Sequence, residues 1–167
     1  NLIINIRGVS NHFKQTKMKK IPIAIVDDKR LLRNTLSEQI QYNQPIEVLF
    51  MAEHGIDFLQ QMEKRPKNSH PLVVLMDIEM PNMNGIEATN YIKANYPQIK
   101  IIMLTVFDND ENIFNAIKAG ADGYLLKEVN PKDLQQGILD TINGGATMTP
   151  SIAMKTLKLF REPIRFE

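Results

Sequence analysis

The stretch LVVLMDIEMPNMNG, Leu72 to Gly85, decides the fold. Five apolar residues run without a break into Asp77, and a proline and a glycine follow within eight positions. A short apolar run that ends in loop-forming residues is typical of a strand buried on both faces of a parallel sheet. An acidic side chain therefore stands where a buried strand meets a loop, either as a turn residue or as a reagent.

The same pattern recurs along the chain. The other apolar runs rich in Ile, Val and Leu are IPIAIV, IEVLFMA, KIIML and GYLL. Between the runs, apolar residues recur at helical spacing, as at Leu32, Leu36 and Ile40. Alternating strands and helices of this length predict an α/β fold with three layers. Its simplest form is a flavodoxin-like, doubly wound five-stranded parallel sheet in the order 2-1-3-4-5.

Helix ends are marked by local signals. Asp108 with Glu111 predicts a capping box at one helix start. Asn130 followed by Pro131 predicts another helix start, and the glycines at 144–145 predict the end of that helix.

These boundaries divide the chain into three parts. Residues 1–20 show no sustained period and end in a basic run, so they are set apart as an N-terminal extension. Residues 21–145 form the predicted domain. Residues 146–167 have room for one helix, from Pro150 to Phe160, which is predicted to be a linker.

Composition excludes several functions. The 167 residues carry a net charge of +1 and are 43% hydrophobic, which fits one globular domain and gives no electrostatic reason for the whole chain to bind nucleic acid or a membrane. No cysteine is present, so disulfides, zinc–thiolate sites and thiol nucleophiles are excluded. Without a signal peptide or an apolar run near the ~20 residues of a membrane span, a cytoplasmic location is expected.

Polar side chains stand at the predicted carboxyl ends of four strands. These ends are neighbours in the predicted sheet, and open α/β sheets bind ligands in the crevice outside them. The crevice residues are Asp27, Asp28, Asp77, Thr105 and Lys127. Each alone has a plain structural explanation, such as an N-cap or a solvated charge. Together, three carboxylates would repel one another unless a divalent cation and a lysine supply positive charge.

The ligand types indicate magnesium and phosphate chemistry. Oxygen ligands without histidine or cysteine suit Mg²⁺, which commonly joins carboxylates to phosphoryl oxygens. The chain has no P-loop and no Gly-rich dinucleotide-binding turn, so a nucleotide site is not expected. The remaining possibility is that a carboxylate itself accepts a phosphoryl group. Asp77 is the candidate nucleophile, because Asp27 and Asp28 form a pair suited to holding metal.

Four motifs carry a resemblance to a known family. VDD, MDIEMPNMNGIE, MLT and AGADGYLLK together resemble the receiver domain of two-component response regulators, over Ile21 to Gly145. The resemblance implies that Asp77 is the phosphoacceptor. It also implies that Thr105 bonds the phosphoryl group and that Lys127 pairs with it.

The resemblance also implies a metal site and a switch residue. The Mg²⁺ ligands would be Asp28, Asp77, the backbone carbonyl of Glu79 and, through water, Asp27. Tyr124 stands where receivers have a ring that moves inward when the threonine hydroxyl is drawn to the phosphate.

The C-terminal motifs indicate a subfamily. GYLLKEVNPKDLQQGI followed by NGGATMTPSIA is most similar to LuxR-type (NarL/FixJ-like) regulators, in which a helix-turn-helix domain follows the receiver. The resemblance implies a sensor histidine kinase as phosphoryl donor, a phosphorylation-dependent homodimer and a transcription-regulating output. DNA would be bound only through a C-terminal domain that these residues do not include, so the sequence is expected to be a fragment of a longer regulator.

Two alternatives stay open. A Mg²⁺-dependent phosphohydrolase of the haloacid dehalogenase type also forms an aspartyl phosphate. Its motif requires Asp-x-Asp after the first strand, whereas here Glu79 stands two residues after Asp77 on the third strand. A degenerate receiver that works without phosphorylation is disfavoured because all the crevice residues are present. The prediction is a signalling domain that is no enzyme beyond its own phosphoryl transfer and dephosphorylation.

Overall fold

The computed structural model describes residues 19–162; most of the predicted N-terminal extension, and residues 163–167, lie outside this part. Within residues 19–162 the chain forms six strands, six α-helices and a 3₁₀ turn at Lys67–Ser69. The strands are β1 (Ile21–Val26), β2 (Ile46–Ala52), β3 (Val73–Met76), β4 (Lys100–Thr105), β5 (Gly123–Leu126) and β6 (Thr147–Met148). The helices are α1 (Arg30–Gln41), α2 (Gly55–Glu63), α3 (Gly85–Asn95), α4 (Asp110–Ala119), α5 (Pro131–Ile142) and α6 (Pro150–Arg161).

The strands form one parallel sheet in the order β2-β1-β3-β4-β5-β6. The predicted doubly wound α/β arrangement is confirmed, but the prediction of five strands is wrong. The sixth strand, β6, pairs with β5 through Gly123↔Thr147 and Tyr124↔Met148. Because β6 has only two residues, no apolar run or alternation could reveal it in the sequence.

Two glycines make room for β6. A Cβ at Gly123 on β5 would lie 2.8 Å from Thr147 Cγ2, and a Cβ at Gly137 on α5 would lie 2.7 Å from Thr147 Oγ1. Carbon atoms in contact normally stay about 3.5–4.0 Å apart. A glycine inside a strand often marks a close approach of another backbone. Gly123 and Gly137 are therefore the residues whose missing side chains indicate the close approach of β6.

Residues along β1, β3, β4 and β5 alternate between two hydrophobic cores, as the twofold period of a strand requires. On β3, Val73 and Leu75 pack in the core formed with α1 and α5. The intervening Val74 and Met76 pack in the core formed with α2, α3, α4 and α6. The sheet is thus the middle of three layers. Its strands are covered on both faces, which explains why they are continuous apolar runs in the sequence.

The predicted ends of α5 are confirmed. The side chain of Asn130 accepts a hydrogen bond from the backbone N–H of Asp133 at 2.8 Å, and Pro131 is the first helical residue. The helix stops at Ile142, and Gly144 follows with φ of +90°, a conformation that favours glycine. In the described part of the chain, no helix combines the length and apolar character needed to cross a membrane.

The predicted capping box at α4 is wrong. The N-cap is Asn109, and the Asp108–Glu111 pair does not cap the helix. The Asp108 carboxylate instead lies 3.3 Å from the ammonium of Lys155 on α6. Asp108 thus makes a tertiary contact instead of capping the helix, and no local sequence signal could show this contact.

The segment after α5 packs onto the domain. Ile152 of α6 is 0% exposed and belongs to the core that contains Tyr124. Thr149, just before α6, accepts a hydrogen bond from the N–H of Leu126 at 2.9 Å through its hydroxyl and donates its own N–H to the carbonyl of Tyr124 at 3.2 Å. The domain boundary at residue 145 and the linker role of residues 146–167 stay predictions.

Candidate functional site

The carboxyl ends of four strands meet at one edge of the sheet and carry the residues predicted for the crevice. Asp27 and Asp28 directly follow β1, and Asp77 directly follows β3. Thr105 is the last residue of β4, and Lys127 follows β5. Asp27, Asp77 and Thr105 are buried, whereas Asp28 is exposed. The parallel topology thus places these residues on adjacent strand ends, although they are distant in sequence.

Lys127 joins two of the acids. Its Nζ lies 2.7 Å from Asp27 Oδ2 and 2.9 Å from Asp77 Oδ2, which are distances of charge-assisted hydrogen bonds. Carboxylate oxygens of Asp27, Asp28 and Asp77 all lie within 4.8 Å of one another. Within this group of four side chains, one ammonium faces three carboxylates, so the cluster has an excess of negative charge.

An arginine that the sequence analysis did not single out supports the acidic pair. Arg33 on α1 is buried; its Nη1 donates to the backbone carbonyl of Asp27 at 2.5 Å, and its Nη2 lies 3.7 Å from a carboxylate oxygen of Glu53. The N–H of Lys29 donates to Asp27 Oδ1 at 2.9 Å. Both contacts fix the loop that carries the first two acids. In the sequence, Arg33 is only one of several charges on a helix. Its burial and its hydrogen bond to the Asp27 carbonyl reveal this role.

The loop after β3 is shaped around Asp77. The N–H of Ile78 donates to Asp77 Oδ1 at 2.8 Å, while Oδ2 accepts from Lys127. Gly85 begins α3, and its N–H donates to the carbonyl of Ile78 at 2.7 Å. A Cβ on Gly85 would lie 1.9 Å from the carbonyl oxygen of Asp77. Only glycine therefore lets the start of α3 fold back over the Asp77 backbone.

Burial and charge set the protonation of the central pair. Burial raises the pKa of Asp77 above its ordinary 3.8; Lys127 opposes this shift, and Asp27 adds to it. Burial alone would lower the pKa of Lys127, but its hydrogen bonds with Asp27 and Asp77 make the net shift upward. We therefore expect a permanently charged Lys127 beside a carboxylate that holds its proton more tightly than a free aspartate does.

The cluster fits a divalent cation. Its candidate ligand atoms are carboxylate oxygens, the hard donors that Mg²⁺ prefers. It opens on a cavity of about 490 Å³, which leaves room for water and for phosphoryl oxygens. The residues that line the cavity are Asp28, Lys29, Asp77, Glu79, Met80, Pro81, Val106, Phe107 and Lys127. A cation here would also lower the pKa of Asp77, because it would stabilise the ionised form.

Thr105 and Tyr124 are connected through the backbone of Phe107. The N–H of Phe107 donates to Thr105 Oγ1 at 3.3 Å, and the Tyr124 hydroxyl donates to the Phe107 carbonyl at 2.5 Å. Thr105 and Tyr124 are both 0% exposed. Burial raises the pKa of Tyr124, with further contributions from the charges of Asp108 and Asp77, so the hydroxyl remains protonated and able to donate.

Comparison with known proteins identifies the class. Residues 23–139, more than half of the chain, match the response regulator receiver domain. The chain therefore belongs to the response regulator receiver domain family, a family of signalling proteins, and the family predicted from the motifs is confirmed.

Curated relatives share this family. The chain is 33% identical to the transcriptional regulatory protein DegU of Brevibacillus brevis, over 89% of this chain and 61% of DegU. It is also 33% identical to the response regulator protein VraR of Staphylococcus aureus (strain NCTC 8325 / PS 47), over 81% of this chain and 63% of VraR. The chain thus spans about three fifths of the length of these relatives.

Solved structures agree with the fold. A two-component response regulator of the LuxR family from Aurantimonas sp. SI85-9A1 is 26% identical, with a TM-score of 0.77, over 86% of this chain and 99% of that chain. The BeF₃-activated DrrB receiver domain is 31% identical, with a TM-score of 0.65, over 74% of this chain and 98% of that chain. The predicted similarity to LuxR-type regulators is therefore confirmed.

Proposed function

We propose that Asp77 is the phosphoacceptor of a phosphorylation-dependent switch. The main support is the contact of 2.9 Å between the Asp77 carboxylate and the ammonium of Lys127, within an acidic cluster that opens on a cavity. The ammonium can pair with a phosphoryl oxygen as it pairs with the carboxylate. The negative charge of the phosphoryl group would therefore be stabilised by the ammonium of Lys127, which is already held in position. Membership of the receiver family favours the same role.

The transfer requires a nucleophile, a leaving group and charge neutralisation. A carboxylate oxygen of Asp77 attacks the phosphorus of the donor, and the new O–P bond forms as the bond from phosphorus to the donor atom breaks. The donor leaves with the electron pair of that bond. Mg²⁺, when bound by the cluster, would supply positive charge to the phosphoryl oxygens. We assign its ligands to Asp28, Asp77, the backbone carbonyl of Glu79 and, through water, Asp27.

Thr105 and Tyr124 carry the signal away from the site in this proposal. A phosphoaspartate adds up to about two negative charges and three acceptor oxygens, so the Thr105 hydroxyl can donate to one of them. The position of Tyr124 depends on the same backbone segment, because its hydroxyl binds the carbonyl of Phe107. Repacking there would change the surface of α4 and β5, which a partner or a second copy of the chain can bind.

We extend this proposal from the described domain to a whole regulator. We infer that a sensor histidine kinase is the phosphoryl donor, that the phosphorylated form dimerises and that transcription is regulated through a C-terminal DNA-binding domain. Residues 146–167 would link that domain to residues 21–145. The support is the similarity to DegU, a transcriptional regulatory protein, and to the response regulator VraR, of each of which the chain covers about three fifths.

The test is incubation with acetyl phosphate, followed by intact-mass measurement. We expect one phosphoryl group per chain when Mg²⁺ is present and none when a chelator removes it. An aryl phosphate distinguishes the switch from a phosphohydrolase of the haloacid dehalogenase type. Steady release of the aryl alcohol over many turnovers would contradict the switch, which should stop at a stoichiometric phosphoprotein.

A further inference from the structure

Lys155 ties α6 to the loop that follows β4. Its Nζ donates to the backbone carbonyl of Asp108 at 2.7 Å and lies 3.3 Å from a carboxylate oxygen of the same residue. Asp108 belongs to residues 106–109, which connect β4 to α4. One side chain of α6 thus binds both the backbone and the side chain of this loop.

The same loop binds Thr105 and Tyr124. The N–H of Phe107 donates to Thr105 Oγ1 at 3.3 Å, and its carbonyl accepts from the Tyr124 hydroxyl at 2.5 Å. Phe107 and Asp108 are consecutive, and planar peptide units allow rotation only about two backbone dihedrals per residue. A change in the position of the Asp108 carbonyl can therefore reach the hydrogen bonds of Phe107 across the two backbone dihedrals of a single residue.

The helix that carries Lys155 is anchored. Ile152, three residues earlier and thus on the same side of α6, is 0% exposed in the core that contains Tyr124. Thr149, which precedes the helix, accepts a hydrogen bond from β5 at Leu126. A tether to an anchored helix restricts the loop, whereas a tether to a frayed chain end would not.

A surface ion pair without further effect is the alternative. The side chains of Lys155 and Asp108 are 38% and 60% exposed, and exposed ion pairs contribute little to stability. The second contact is also exposed, but it differs in kind, because a hydrogen bond to the Asp108 carbonyl restrains the backbone of the loop. Its effect should therefore be seen in the loop and at the site rather than in the stability of the whole domain.

We propose that Lys155 is a positioning residue for the phosphoacceptor site, which it reaches through the 106–109 loop. The inference rests on the proposed function of Asp77. A loop that is fixed before a phosphoryl group arrives loses less conformational freedom on binding, so the tether strengthens binding. By thermodynamic reciprocity, an occupied site holds α6 more tightly.

Beryllofluoride, a mimic of the phosphoryl group, tests this coupling when its affinity is measured with Mg²⁺ by NMR titration. The control is Lys158→Met, which removes the same charge from the same helix; Lys158 is 69% exposed and pairs only loosely, at 4.0 Å, with Glu162. Loss of one hydrogen bond predicts binding about two- to fivefold weaker in Lys155→Met. Lys155→Arg can still donate to the carbonyl and should recover most of the affinity, and Lys158→Met should bind as wild type does.

The amide signal of Phe107 supplies a second readout that needs no ligand. It should shift in Lys155→Met and stay in place in Lys158→Met. Equal affinities of wild type and Lys155→Met, or equal weakening in both methionine variants, would overturn the proposal. If wild type itself does not bind beryllofluoride, the proposed function fails, and the Phe107 signal still decides whether Lys155 positions the loop.

Discussion

Truncation of Ile152 to alanine tests whether α6 is part of the folded domain. Ile152 is 0% exposed in the hydrophobic core that also contains Tyr124. The substitution removes three buried carbon atoms, and at about 0.8 kcal/mol for each the transfer term alone is about 2.4 kcal/mol. The cavity left behind adds to this, because a packed core relaxes only in part. We expect the free energy of unfolding to fall by about 2–5 kcal/mol.

Urea unfolding followed by circular dichroism measures the change. The matched control is Met154→Ala on the same helix, because Met154 is 62% exposed. It should change the free energy of unfolding by no more than about 0.5 kcal/mol. If Ile152→Ala is as stable as the control, α6 contributes nothing to the domain, and the proposal for Lys155 fails with it.

Two further variants test the site. In Mg²⁺-free buffer, Asp77→Asn should have a larger free energy of unfolding than wild type. This difference should grow as the pH rises from 3.8 through the raised pKa of Asp77, because the folded wild-type chain holds that proton more tightly than the unfolded chain does. Urea unfolding across a pH series checks this, and an advantage that shrinks with rising pH would contradict it. Gly85→Ala should lower the free energy of unfolding by about 1–3 kcal/mol, since its Cβ would lie 1.9 Å from the Asp77 carbonyl oxygen. An unchanged urea midpoint would show that the loop adapts without cost.

The sheet from β1 to β5 could be predicted because strands buried on both faces leave a continuous apolar signal. The same signal located Asp27, Asp77, Thr105 and Lys127, since each stands where such a run ends. The topology then follows from alternation of strands and helices, and it makes these strand ends neighbours. The positions of these side chains at one edge of the sheet can thus be predicted from the sequence.

The remaining features depend on tertiary contacts. β6 has two residues and is recognisable only through the glycines that make room for Thr147. Arg33 resembles any helix-surface charge until its burial and its bond to the Asp27 carbonyl are seen. Asp108 satisfies the local pattern of a cap but pairs with Lys155, which lies 47 residues further along the chain. Local patterns cannot encode such partners.

The proposed switch depends most directly on which side chain accepts the phosphoryl group. Borohydride reduces an aspartyl phosphate to homoserine, and tandem mass spectrometry of the peptides then locates that residue. After treatment with acetyl phosphate and Mg²⁺, we expect homoserine at position 77 in wild type and at no position in Asp77→Asn. Homoserine at Asp27 or Asp28, with Asp77 unchanged, would contradict it.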